Sequence, residues 1–156
     1  MKSEIRDDGC QVPILGASSQ MGYTDKPLYD SKILVTGRVG THGIVQRVKS
    51  ESWPSDNTLV IQSQYYETVY QMLKRIDYPS LNRGSTQPLI TQTDLKHYKM
   101  PSFEKEMLLI YEQKAEPLMT LYDHRIIENR KLGALRDTLL PKLMSGEIDV
   151  SQVDLT

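Results

Sequence analysis

Apolar positions in this 156-residue chain follow different rhythms in its two parts. Between residues 11 and 63 they come in short runs: Val12-Pro13-Ile14-Leu15, Ile33-Leu34-Val35 and Thr58-Leu59-Val60-Ile61. Gly, Pro, Ser and Asp separate them, and runs of that length between turn formers predict β-strands. Gly43-Ile44-Val45-Gln46-Arg47-Val48 alternates in part, as a half-buried strand does. From residue 64 the period lengthens. Tyr66, Val69, Tyr70, Leu73 and Ile76 fall on one helix face, and Pro79 is expected to stop that helix.

A polar loop over 80–91 leads to the short apolar run Pro88-Leu89-Ile90. Thr93-Asp94-Leu95 suggests a single helical turn. Tyr98-Lys99-Met100-Pro101 reads as extended, because the residue before a proline avoids the helical region. Ser102 is the expected N-cap of a long helix, with Glu104 and Glu106 placed well for its dipole. Leu108, Tyr111, Ala115, Leu118, Tyr122, Ile126, Asn129, Leu132, Leu135 and Leu139 then recur every three or four residues, close to a heptad seam. Pro117 interrupts the seam at a cost on the order of 3 kcal/mol. It predicts either a kink or two helices, with Pro117 in the first turn of the second. Pro141 and Gly146 close the pattern. Asn129 reads either as a wet edge position or as a buried polar residue that fixes register. Gly133 either admits a close second helix or simply lowers helicity.

Composition narrows the class. No run approaches the roughly 20 apolar residues of a membrane span. The first eight residues are polar, unlike a secretory signal, and the single Cys10 excludes an internal disulfide framework. A cytoplasmic protein is expected. The net charge of −1 divides unevenly. Residues 37–100 carry eight basic and five acidic side chains, and residues 101–156 carry seven and ten. A mildly basic middle and an acidic helical end are compatible with a nucleic-acid surface on one part only.

Gly37-Arg38-Val39-Gly40-Thr41-His42-Gly43 is neither a Rossmann fingerprint nor a P-loop. It reads either as a tight turn between strands or as a loop whose backbone approaches a phosphate, with Arg38, Thr41 and His42 at hand. Asn82-Arg83-Gly84-Ser85-Thr86-Gln87 is a second polar loop. Arg can pair with guanine and Gln with adenine in the major groove, although the same residues fill ordinary turns. His42, His97 and His124 lie far apart in sequence and Cys10 has no partner nearby, so no metal site is expected. No nucleophile elbow is present. No catalytic residues and no cofactor are predicted.

Several segments resemble the specificity subunit of type I restriction-modification systems, in order and spacing. Pro13-Ile14-Leu15-Gly16-Ala17-Ser18 with Gly22-Tyr23-Thr24-Asp25-Lys26-Pro27 resembles a segment early in that family's target recognition domain. Lys32 to Gly43 is similar to its strand followed by Gly-Arg-x-Gly-x-x-Gly. Trp53-Pro54-Ser55-Asp56-Asn57-Thr58 is similar to its Trp-x-x-Asp-Asn element, and Gly84-Ser85-Thr86-Gln87-Pro88-Leu89-Ile90 to a later loop. The ending Leu135-Arg136-Asp137-Thr138-Leu139-Leu140-Pro141-Lys142-Leu143-Met144-Ser145-Gly146-Glu147-Ile148 completes the match, which covers roughly residues 11–150.

The resemblance implies an α+β fold: a β-rich target recognition domain over 1–102, a long coiled-coil arm over 103–146 and a tail over 147–156. It implies a non-catalytic DNA-specificity component whose partners are double-stranded DNA and separate methyltransferase and endonuclease subunits. The expected DNA contacts are Arg38, Thr41, His42, Arg47, Arg83, Ser85, Thr86 and Gln87. The expected helix-pairing residues are Leu108, Tyr111, Leu118, Tyr122, Ile126, Asn129, Leu132, Leu135 and Leu139. The family's usual opening, with a tryptophan and a first strand, does not precede Lys2. The chain is therefore expected to be a half-subunit that pairs with its own copy and reads a palindromic split site, or a fragment. The rival expectation is an assembly module that acts through its helix without reading DNA.

Overall fold

A computed structural model describes residues 9–84 and 88–148 of the chain. Two compact units are distinguished, Met1–Gln113 and Lys114–Thr156. The sequence placed its boundary at residue 102; this division falls later, inside the long helix.

In the first unit, β1 (Val12–Leu15), β2 (Gln20–Thr24) and β5 (Trp53–Pro54) make one sheet in the order β2-β1-β5. β1 and β2 are antiparallel, with a register shift between Ile14 and Leu15, and β5 runs parallel to β1. A second, antiparallel sheet has the order β4-β3-β6, from β3 (Ile33–Gly37), β4 (Val45–Val48) and β6 (Thr58–Ile61). The apolar runs at 12–15, 33–35 and 58–61 all became strands, whereas β2 and β5 carry no apolar run that announces them.

β3 explains the packing. Ile33, Leu34 and Val35 are all fully buried, so the strand is covered on both faces. Successive side chains point to opposite faces. Ile33 and Val35 join Leu15 and Val48 in one apolar cluster. Leu34 joins Leu59, Tyr66, Leu73, Ile76, Tyr78 and Ile90 in the other. That second cluster is roofed by α1 (Tyr66–Leu73), whose apolar face is the one the sequence indicated. The Tyr66 hydroxyl lies 3.2 Å from both the Ile33 and the Val48 carbonyl oxygens, pinning α1 to the strand ends.

Pro79 does not stop α1. The helix ends at Leu73, and its last carbonyls accept three-residue bonds from Arg75 and Ile76. Pro79 instead sits in the first turn of α2 (Tyr78–Leu81), where its missing N–H costs nothing. The turn at Thr93-Asp94-Leu95 is part of α3 (Gln92–His97), opened by a reciprocal Thr91–Asp94 capping box.

α4 (Lys105–Met144) is one continuous helix with Pro117 and Pro141 inside it. The chain does not divide into two helices at Pro117, and Pro141 does not end the pattern. The one lost hydrogen bond at each proline is tolerated because the bonds on either side propagate the helix cooperatively. Nor is Ser102 the cap: the Glu104 carbonyl accepts the first bond, from Leu108 N–H (3.1 Å). At the far end Gly146 N–H donates to the Leu143 carbonyl (3.2 Å). The arrangement is α+β, a β-rich unit followed by a long helix. No described helix is long and apolar enough to cross a membrane.

Candidate nucleic-acid interface

Parts of three segments that carry the family resemblance, around Ala17, Asn57 and Pro88–Ile90, meet the glycine-rich loop at the C-terminal end of β3. A Cβ on Gly37 would lie 2.1 Å from the Thr41 carbonyl oxygen and 3.0 Å from the Ala17 side chain, so only glycine allows the glycine-rich loop to fold back there. Gly40 adopts φ 82°, which side-chain-bearing residues rarely adopt. Three hydrogen bonds then fasten the loop to its neighbours. Arg38 N–H donates to the Asn57 carbonyl (2.8 Å), Gly40 N–H to the Pro88 carbonyl (3.0 Å), and Ile90 N–H to the Arg38 carbonyl (2.9 Å). A bridge pairs Val39 with Leu89. The two polar loops singled out in the sequence are thus side by side, although more than forty residues separate Arg38 from Arg83 along the chain.

Each loop is held from within. His42 Nδ1 lies 3.3 Å from the Gly37 carbonyl, so this half-buried ring braces the turn. Asn82 Oδ1 accepts from Gly84 N–H (3.0 Å) and Leu89 N–H (2.9 Å), and Arg83 N–H donates to the Leu89 carbonyl (3.0 Å). The Arg83 side chain pairs with Asp94. Asp94 in turn accepts from the Thr91 hydroxyl (2.6 Å) and N–H (2.9 Å). Those two bonds, with the Arg83 charge adding to them, hold the Asp94 carboxyl below its ordinary pKa.

Arg38, Thr41 and Arg83 are exposed on this joined surface. Ser85, Thr86 and Gln87 lie outside the described residues. Arg47 is elsewhere. In β4 it stands opposite Leu34, on the face that α1 covers. Its side chain keeps 7% of its surface, pairs with the buried Glu67, and has its guanidinium 5.3 Å from the Tyr70 ring centre and 5.8 Å from that of Tyr66. The alternation of residues 43–48 suggested a solvent face. α1 covers that face, and Arg47 is directed at the core rather than at a ligand.

Sequence reasoning did not find Asp94 as the partner of Arg83, although the Thr91-x-x-Asp94 spacing of a capping box was legible. It also missed Glu112. Tyr65 offers α1 no side-chain cap. The Glu112 carboxylate supplies one, accepting from Glu67 N–H (2.8 Å), Thr68 N–H (3.0 Å) and the Thr68 hydroxyl (2.9 Å). This fastens the first turns of α4 to the β-rich unit. Beside it, Met72, Phe103, Met107, Leu108 and Tyr111 line an apolar groove.

The expected pairing residues of α4 face solvent in the single chain. Leu118, Tyr122, Leu132 and Leu135 are all more than half exposed, Leu118 at 66%. Tyr111, Asn129 and Leu139 are exposed, and Leu108 and Ile126 are half-buried. Leu109, Ile110, Leu121, Ile127 and Leu140 are exposed outside that seam, so the helix is apolar on more than one side. Among the described residues no cluster of His, Cys, Asp and Glu is arranged to hold a metal ion.

A β-rich unit of two small sheets followed along the chain by a long helix defines the class by fold. Among solved structures, that fold matches the crystal structure of the type I restriction-modification system S subunit from M. genitalium, with a TM-score of 0.63 at 19% identity. The match covers 93% of this chain and 42% of that one, so the chain spans less than half the length of the solved S subunit. No protein-family model matches the chain, and no curated protein matches it.

Proposed function

We propose that this chain is a non-catalytic DNA-recognition module of the type I restriction-modification S-subunit kind. The S-subunit fold over 93% of its length carries the reading. The convergence of the exposed Arg38, Thr41 and Arg83 on one loop surface, with His42 bracing the turn beneath them, supports it. In this reading the loops face double-stranded DNA. The exposed seam of α4 pairs with another helix, that of a second copy, and recruits the methyltransferase and endonuclease subunits that carry the chemistry. Arg47 has no direct part. It stiffens the strand that supports the site.

Binding of the full chain to a random-sequence duplex over a range of salt tests this. A protein that neutralises phosphates loses affinity as counterions are retained, with a slope of about −0.9 per phosphate in log-log form. Arg38→Ala should lower affinity evenly across sequences and reduce that slope by about 1. The exposed apolar helix also favours a second reading, an assembly module that reads no DNA. Absence of any salt-sensitive duplex binding, with helix-mediated association retained, would establish that alternative.

A further inference from the structure

Burial in the Arg83–Asp94 pair is one-sided. The Asp94 side chain keeps 5% of its surface and the Arg83 side chain 67%. The carboxylate cannot swing, because Oδ2 is taken by the Thr91 hydroxyl and N–H while Oδ1 faces the guanidinium. The Arg83 backbone is fixed by its bond to Leu89, and the turn around it by Asn82. An ion pair so open to water is screened and adds little to stability. Its effect on geometry is larger. Arginine carries five donors in a rigid planar fork. Anchoring Nη2 on a fixed carboxylate limits the directions in which the rest of the fork can be presented. A phosphate contact does not require that, since a flexible point charge serves. Two parallel bonds to the O6 and N7 of guanine do require it. Pre-orientation also reduces the side-chain entropy lost on binding.

We infer that Arg83 reads a guanine in the major groove and that Asp94 is its positioning residue. The inference rests on the DNA-recognition reading above.

Selection of a random-core duplex library by the full chain, followed by sequencing, tests it. The unmodified chain should enrich a motif containing a guanine. Arg83→Ala should cut discrimination at that position on the order of tenfold or more, leaving the other positions intact. Asp94→Asn should flatten the same position, and Asp94→Glu, which keeps the charge, should restore part of it. Arg83→Lys alters an exposed side chain, so it serves where Asp94→Asn melts early. It should keep affinity but lose the guanine preference. Three results would overturn the inference alone: binding without any motif, loss on Arg83→Ala that is equal for all sequences, or an Asp94→Asn variant that melts normally and keeps the preference. Absence of salt-sensitive binding by the unmodified chain would overturn the DNA reading itself, and this inference with it.

Discussion

Two acid–base pairs show how differently one contact type behaves by location. Arg47 and Glu67 are both enclosed, with Lys49 Nζ 3.6 Å from the same Glu67 oxygen. Arg47→Met would leave the enclosed Glu67 with only the more distant Lys49 as counter-charge, so it should lower stability toward the lower end of about 3–5 kcal/mol in denaturant melts. Asp94 is governed by titration instead. Its carboxyl is held below the ordinary value by Thr91 and then by Arg83. A depressed carboxyl contributes stability above its unfolded pKa, about 3.9, and the contribution is lost as pH falls through the folded value. The acid limb of the melting temperature against pH should therefore be shallower in Asp94→Asn than in the unmodified chain. Identical acid limbs would show that the Thr91–Asp94 bonds are not formed in solution.

At the scale of elements, β3 and α1 were readable because burial writes itself into periodicity. A run of Ile, Leu and Val without alternation marks a strand covered on both faces. Tyr66, Val69, Tyr70 and Leu73 mark a helix covered on one. Two element-level features left no such trace. One is the Glu112 cap on α1, made across 45 residues. Glu112→Ala should cost about 1–3 kcal/mol, the price of unmaking a cap and leaving two N–H groups exposed. Glu112→Gln should cost less, since the amide oxygen still accepts. The other is the tightness of the Gly37 turn. Gly37→Ala cannot be accommodated without moving the Thr41 backbone. It should both lower the melting temperature by several degrees for a domain of this size and weaken duplex binding, because the loop carries Arg38.

At the scale of the molecule, the first unit closes its own core and the helix does not. Leu118, Tyr122, Leu132 and Leu135 are open to water, and contiguous exposed apolar surface of this kind marks an interaction site. A solution mass near twice 17.9 kDa is the expected result for the unmodified chain. Leu132→Asp with Leu135→Asp should return it to the monomer mass by light scattering, while far-ultraviolet dichroism stays helical. A chain that is already monomeric would leave the pairing role to a longer partner.

Local order was legible because it follows from spacing. Four of the six strands among the described residues, the apolar face of α1, the extent of the long helix and the two polar loops can all be read from which residues recur and which turn formers lie between them. The resemblance carried by residues 11–150 named the fold that the solved S subunit shares. Only the tertiary structure decided which loops meet and which charges are enclosed. Arg47 reads as a surface residue until α1 is laid over its strand face. Arg83 and Asp94 are eleven positions apart with no period linking them, and their pairing exists only because the Asn82 turn and the α3 cap converge. Periodicity reports the environment of one element at a time. Partnerships between elements depend on how those elements close on one another, and spacing along the chain does not record that.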